Sequence, residues 1–178
     1  MTAFLGITGF IALVTAIVFV RNLAGKAAAK VTAPVERAVF SGTYASGLAE
    51  AKAVLKIASP VAPLETIDKI VDAVGVGNAF PGLKAALYLK SRTGESVVFA
   101  FGSRAAGDVF IASVRLATSD TGSSGTFQVN RWHEQGAIVQ GAKDMARLRD
   151  GIGTAVQELG GSATAEIVDG SVRRRLQA

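Results

Sequence analysis

The first twenty residues of the chain contain no charged side chain, and their only polar side chains are those of Thr2, Thr8 and Thr15. A helix of this length rises about 30 Å, which matches the hydrocarbon core of a bilayer. Threonine hydroxyls can bond back to carbonyls one turn earlier and are therefore tolerated in lipid. The pattern predicts a transmembrane helix over residues 1–21.

A cleaved secretory signal is the alternative interpretation of this segment. Signal peptides combine a positively charged start, an apolar stretch of about 7–15 residues and a cleavage site made of small residues. Here the first three residues carry no charged side chain, and the apolar stretch over residues 4–20 is longer than that. Basic residues also flank the small residues 27–29. We therefore expect the segment to be retained as a membrane anchor in contact with lipid.

Basic residues near the end of the span indicate its orientation. Arg21, Lys26 and Lys30 follow the apolar stretch directly, and positively charged flanks stay on the cytoplasmic side. The pattern predicts a single-pass protein of the cell membrane with a cytoplasmic C-terminal domain.

Three small residues of the predicted membrane helix, Thr8, Ala12 and Ala16, follow one another at four-residue spacing. Small residues at this spacing allow two helices to approach closely, so they predict a helix-association face. The alternative is that a span rich in alanine and glycine shows such a stripe by chance.

The rest of the chain divides into a juxtamembrane linker over residues 22–33, a folded domain over residues 34–170 and a basic tail over residues 171–178. Apolar positions at helical spacing predict a helix over residues 48–58, which Pro60 ends. A second helix is predicted over residues 63–74, and Gly75 is a stop signal for it. The apolar faces of the two helices consist of Leu48, Ala51, Val54, Leu55 and Ala58, and of Leu64, Ile67, Ile70, Val71 and Val74.

The period then changes from 3.6 to 2, which predicts strands over residues 85–91, 96–102, 108–117 and 126–133, with a flexible loop over residues 119–125. Short connections favour an antiparallel β-meander. An apolar stripe from Ile138 to Leu159 predicts a long helix that the glycines 160 and 161 end, and residues 163–168 a last strand. The predicted class is α+β, with a meander of about four to five strands packed against helices.

Charge is concentrated at the two ends of the chain, which has a net charge of +5. The three basic residues after the apolar span and the run Arg173-Arg174-Arg175 outnumber this excess, so the body of the domain is close to neutral. A nucleic-acid binder would show a basic stripe across its folded surface, and we expect no nucleic-acid partner. Basic ends are attracted to an anionic inner leaflet, although a solvated terminus is an equal interpretation of the tail.

Two short motifs suggest chemistry. The run Asp120-Thr121-Gly122-Ser123 resembles the catalytic loop of aspartic proteases, in which two carboxylates share a proton. A polar hairpin loop has the same composition and is the preferred interpretation. The overlapping run from Gly122 to Gly125 suggests a phosphate cradle, but it lacks the lysine and the following helix of a P-loop.

The single histidine, His133, precedes Glu134, and neighbouring residues of a strand point to opposite faces, so an acid–base pair is not expected. The chain has no cysteine, and one histidine does not make a typical zinc site. We expect no catalytic residue, no metal and no cofactor.

The composition leaves two kinds of binding open. Phenylalanines of the meander, Phe99, Phe101, Phe110 and Phe127, could line a cavity for an apolar ligand, although plain core is the more common role. The order of elements is similar to that of the helix-grip family of lipid-binding domains, by analogy alone and without a shared motif. The leading hypothesis is a membrane-anchored accessory or scaffolding protein that binds a protein partner, with residues 48–74 as the first candidate surface. A binder or sensor of an apolar small molecule or lipid, and an enzyme without a recognisable motif, are the alternatives.

Overall fold

A computed structural model describes residues 41–136 and 138–167 of the chain, and within them it forms three helices and eight strands. In chain order these are α1 (Ser41–Lys52), β1 (Ala53–Ser59), α2 (Pro63–Val74), β2 (Ala86–Arg92), β3 (Ser96–Ser103), β4 (Gly107–Ser119), β5 (Gly122–Trp132), β6 (Glu134–Gln135), β7 (Ile138–Val139), α3 (Ala142–Glu158) and β8 (Ser162–Ile167).

The chain divides into two units, residues 1–41 and residues 42–178, and apart from Ser41 these elements belong to the second. The helices have 12, 12 and 17 residues, and none of those in the described ranges is long and apolar enough to cross a membrane. Several sequence predictions lie outside the described residues: the helix over 1–21, the linker over 22–33, the tail over 171–178, the flanks Arg21, Lys26 and Lys30, and the face of Thr8, Ala12 and Ala16.

Six strands form one antiparallel sheet in the order β2-β3-β4-β5-β1-β8, and β6 pairs with β7 in a separate ribbon. This arrangement confirms the α+β class. The predicted meander corresponds to β2, β3, β4 and β5, which are neighbours in the sheet as they are in the chain. The sheet is wider than predicted because β1 inserts between β5 and β8.

The helix predicted over residues 48–58 is wrong in its second half, because α1 ends at Lys52 and β1 begins at Ala53. Within β1 the side chains alternate, with Leu55 and Ile57 buried and Lys56 exposed. A short run of this kind fits both a helical and an extended period. Pairing with β5 on one side and β8 on the other decides for the strand.

The flexible loop predicted over residues 119–125 is also wrong. Ser119 pairs with Gly122, so β4 and β5 continue to a two-residue turn made of Asp120 and Thr121. Two-residue turns connect most tight hairpins. The polar composition of this region reflects an exposed turn, Asp120 and Thr121, followed by a paired strand end in which Ser123 is buried.

The helix predicted over residues 63–74 is confirmed as α2. Pro63 occupies its first turn, where a missing N–H costs nothing. Gly75 ends the helix in the left-handed conformation (φ 66°), and its N–H donates to the carbonyl of Val71. Thr66, Ile67 and Ile70 are buried against the sheet.

The long helix predicted from Ile138 begins later, at Ala142, because Ile138 and Val139 form β7. Gly141 precedes the helix in a left-handed conformation (φ 74°), which turns the chain into it. The side chain of Ile138 is 43% exposed and is not part of the apolar stripe.

The core lies between one face of the sheet and the helices. α2 packs on α3, α2 also contacts β4 and β5, and α3 contacts β1 and β8. The largest side chains with almost no exposed area are those of Phe99, Phe110, Phe127, Ile67, Ile70, Met145 and Ile152. The opposite face of the sheet carries charged side chains such as Lys56 and Glu166, together with a short apolar row in which Tyr88 and Ala100 are buried. The main apolar layer is the one between the sheet and the helices.

Candidate functional site

The two edges of the six-stranded sheet differ in how they are covered. At the β2 edge the N–H of Leu89 donates to the carbonyl of Gly77 at 3.0 Å, and a register shift follows between Leu89 and Ser91. At the other end, β8 pairs with β1 without a bulge and contains neither lysine nor proline. In the described residues no strand pairs with its second edge. β8 is short and carries one charged residue, Glu166, which is paired with Lys56, but it has no bulge, proline or lysine to block its open edge.

A groove of about 530 Å³ runs beside β8, between this strand and helices α1 and α3. From β8, the side chains of Ala163, Ala165 and Ile167 face it. The rest of its lining is Ala49, Glu50, Ala53, Leu55, Arg149, Asp150, Gly153, Thr154 and Gln157. We call this the edge groove. Four alanines and one glycine, Gly153, are among its twelve lining residues, while Ile167 is 67% exposed.

The mouth of the edge groove is charged. Arg149 on α3 donates to Glu50 on α1 at 2.5 Å and also lies 3.4 Å from Asp150. The Arg149 and Glu50 side chains are largely buried, and the pair joins α3 to α1. On the opposite face of the sheet the Lys56 ammonium lies 2.8 Å from the Glu166 carboxylate, which joins β1 to β8. The charges beside β8 therefore balance on the Lys56–Glu166 face, while the groove face has one arginine for the two carboxylates of Glu50 and Asp150.

A second cleft, also of about 530 Å³, lies between α3 and the β2 end of the sheet. Apolar side chains of both helices and the sheet contribute to its wall: Val74, Val76, Leu87, Phe101 and Leu148. Asp144 and Arg147 on α3 also line it. This second cleft has the mixed lining of a small-molecule site, although it is open to solvent.

A polar cluster on the outer face of the sheet joins β2 to β4. Asp108 accepts hydrogen bonds from the Tyr88 hydroxyl at 2.5 Å and from the Lys90 ammonium at 2.6 Å. Burial raises the pKa of Tyr88 to about 12, helped by its hydrogen bond to Asp108 and the charge of that carboxylate. Burial also opposes ionisation of Asp108, but the hydrogen bonds from Lys90 and Tyr88 and the charges of Lys90 and Arg131 outweigh it and lower its pKa. At neutral pH the phenol stays protonated and the carboxylate ionised, so their hydrogen bond and the ion pair with Lys90 connect β2 to β4 across β3.

Asp108→Asn is expected to lower the free energy of unfolding by about 2 kcal/mol at pH 7. The substitution removes the negative charge of the group that accepts hydrogen bonds from Tyr88 and Lys90. The folded pKa of Asp108 lies below its unfolded value, so its stabilisation is present above about pH 4 and is lost as the pH falls through the folded pKa. Urea unfolding at pH 7 and pH 3 should show the difference between parent and variant shrinking in acid. Asp120→Asn, in the exposed hairpin turn, is the control and should change stability by less than about 0.5 kcal/mol. A difference that is equal at both pH values would contradict this assignment.

The residues of the Asp-Thr-Gly-Ser motif lie in two different environments. Asp120 and Thr121 are exposed in the hairpin turn, and Gly122 has a φ of 132°. The Ser123 hydroxyl instead points inward, 3.1 Å from the buried Thr66 hydroxyl, which donates to Ser59 at 3.0 Å. The motif is thus a hairpin and one member of a buried hydroxyl cluster. Sequence reasoning missed this cluster because Ser123 lies 57 residues from Thr66 and reaches it only through the pairing of β5 with β1.

His133 and Glu134 do not form a pair. Glu134 accepts hydrogen bonds from Trp132 Nε1 at 3.1 Å and from the Tyr44 hydroxyl at 3.3 Å, whereas His133 is exposed after β5. Among the described residues, no group of three or more histidine, aspartate or glutamate side chains could hold a metal ion.

The segment over residues 48–74, the first candidate for a partner surface, has one buried and one exposed side. It contains the end of α1, the strand β1 and the helix α2, and its large apolar side chains Leu55, Ile57, Ile67 and Ile70 are buried. β1 lies inside the sheet between β5 and β8, while Leu64 on α2 is 54% exposed and Ala49, Glu50, Ala53 and Leu55 line the edge groove. A partner surface on this segment therefore stays a prediction, and its parts that line the edge groove belong to the site described above.

No protein-family model, no curated protein and no solved structure matches this chain. Of the features described above, the edge of β8 and the edge groove beside it are the ones that combine an open backbone with a cavity for side chains.

Proposed function

We propose that this protein is a single-pass, membrane-anchored accessory or scaffolding protein whose cytoplasmic α+β domain binds a protein partner at the membrane. The uncharged first twenty residues and the basic residues after them support the anchor and its orientation. The observation that carries the binding role is the exposed edge of β8 beside the edge groove.

Strand addition is the binding mode that this geometry supports. An extended segment beside β8 would bond to its backbone, and every second side chain of that segment would point toward the edge groove. Backbone pairing supplies affinity, and the size of the groove selects the side chains. The small residues Ala163, Ala165 and Gly153 leave room for an aliphatic side chain.

A non-catalytic role agrees with the electrostatics of the domain. The pKa values of Tyr88 and Asp108 are shifted upward and downward respectively, so both lie away from neutral pH, where an efficient acid–base catalyst would have its pKa. Asp120 and His133 are exposed at separate places in the chain. These features support binding over catalysis.

Site-specific photo-crosslinking of the full chain in its native membrane tests the proposal. A photoreactive phenylalanine analogue at Ala165, which faces the edge groove, should give a discrete adduct on irradiation. The matched control is the same analogue at Ser91, which is exposed on the opposite edge strand and should give no such adduct. Equal labelling at both positions, or no adduct at Ala165, would count against a binding edge at β8.

Binding of an apolar small molecule or lipid is the second candidate function, and the second cleft is the observation that favours it. The space between sheet and helices is otherwise filled by side chains such as Phe99, Phe110 and Phe127, which are fully buried. A ligand would therefore have to bind in the open cleft beside Leu87 and Leu148. If the Ala165 analogue gives no adduct while the purified chain retains a lipid, this second function is supported instead.

A further inference from the structure

We propose that the strand which adds to β8 is β8 of a second copy of this chain, so that two six-stranded sheets join edge to edge about a two-fold axis. This inference rests on the proposed function, because it names the partner of the same edge. It follows from the register that the residues of β8 allow, from the shape of the edge groove and from the charges beside it.

Symmetry limits the registers. A two-fold axis perpendicular to the sheet keeps each face of the sheet on the same side, so opposed residues must face the same way. Residues of β8 therefore pair only odd with odd and even with even. One such register places Ala165 opposite Ala165 of the second copy, Ala163 opposite its Ile167, and Thr164 opposite its Glu166.

This register matches the shape of the edge groove. Ile167 is the large apolar residue of β8 that faces the groove and is 67% exposed. Across the two-fold axis, Ile167 lies beside Ala163 of the second copy. The groove wall next to Ala163 is Gly153, which has no side chain; a Cβ added there would lie 3.9 Å from the Ala163 Cβ. Each copy thus supplies the large Ile167 side chain and the space beside its own Ala163. The two-fold axis makes the two resulting contacts identical.

The charges on the opposite face favour the same register. Thr164 lies opposite Lys56 within one chain, and Glu166 is already paired with that lysine. In the dimer, Glu166 of the second copy lies on the other side of Thr164, so each row runs from a lysine through a threonine to a glutamate. A register centred on Glu166 would oppose two carboxylates directly, which destabilises a pair of strands. The register centred on Thr164 would place Ile167 opposite Gly161, beyond the end of β8.

Cysteine cross-linking of the full chain tests the register, since the sequence contains no cysteine of its own. Directly opposed residues of antiparallel strands have Cα atoms about 4.5–5.5 Å apart, within the range of about 4.4–6.8 Å that a disulfide spans. Ala165→Cys should give disulfide-linked dimers in mild detergent. Ala163→Cys and Ile167→Cys should each give few dimers alone, because each cysteine is offset by four strand positions from the same cysteine in the second copy. A mixture of the two variants should cross-link, because position 163 of one copy lies opposite position 167 of the other.

A charge pair provides the matched control. Ala165→Lys added to both members of the Ala163→Cys and Ile167→Cys mixture should lower the yield of cross-links about fivefold, through repulsion on the axis. Ala165→Lys in one member and Ala165→Glu in the other should restore it. Because the readout is specific for register, association through other parts of the chain does not imitate it.

The outcomes separate this inference from the proposed function. If Ala165→Cys does not cross-link, or if Ala163→Cys alone cross-links as well as the mixture, the second copy is not the partner in this register. An adduct of a different protein at Ala165 in the photo-crosslinking experiment would then preserve the proposed function while this inference fails. Cross-links from Ala165 to residues of its own chain outside the described ranges would overturn both.

Discussion

Phe127→Ala is expected to lower the free energy of unfolding by about 3–5 kcal/mol, the usual range for removing a fully buried phenylalanine. Phe127 lies on β5, is 1% exposed and stands opposite Leu55 on β1 and Val114 on β4. α2 contacts both β4 and β5 above it. Because both the sheet and the helix layer enclose this side chain, the cavity cannot collapse without separating them. Small domains are stabilised by only about 5–15 kcal/mol, so this one change removes a large fraction.

Urea unfolding of the full chain in a mild detergent, followed by the fluorescence of the single tryptophan Trp132, measures the effect. Phe80→Ala is the matched control, since Phe80 is 47% exposed and its described ring contact is the edge of Tyr88 at 5.1 Å. The control should cost about 1 kcal/mol. Equal losses for the two variants would show that the core does not lie between the sheet and the helices as described.

Sequence patterns identified the elements whose local signals agree with their environment. Residues 63–74 carry a helical apolar stripe, a proline at the start and a glycine after the end, and each signal has its expected role in α2. Apolar and polar residues alternate along the meander strands, and the predicted bounds of these strands lie within a few residues of those in the structure. Where composition, period and end signals agree, the fold follows from the sequence.

The errors lie where tertiary pairing overrides a local pattern. Residues 53–59 fit a helical stripe as well as a strand, and the choice depends on β5 and β8, which lie about 70 and 110 residues further along the chain. The turn at Asp120 and Thr121 was predicted as part of a longer loop for the same reason, because the hairpin pairing that orders residues 122–125 is invisible in their polar composition.

The candidate site was beyond sequence reasoning for a different physical reason. β8 reads as an ordinary short strand, and nothing in six residues shows that it will lie at the edge of a sheet. The edge groove exists only because α1, α3 and β8 come together around alanines and a glycine. Small residues give no pattern that distinguishes a close contact from a space. The one available signal was the contrast between Ile167 and the alanines at positions 163 and 165.

Gly125→Ala is expected to lower the free energy of unfolding by about 3 kcal/mol, the upper end of the range for overpacking. Gly125 lies on β5 between Ile57 on β1 and Leu116 on β4. A Cβ there would overlap the Arg115 carbonyl oxygen and lie 2.9 Å from the Leu116 Cα, and backbone atoms inside a sheet cannot move aside as a side chain can. Gly94→Ala is the control: nothing lies within 4 Å of its added Cβ, so urea unfolding should show a change of no more than about 0.5 kcal/mol.

Because β5 joins the meander to β1 and thereby to β8, the Gly125 variant should also lose cross-linking at Ala165, whereas the Gly94 variant should keep it. Unchanged stability of the Gly125 variant would mean that β4 and β5 are not paired in this register.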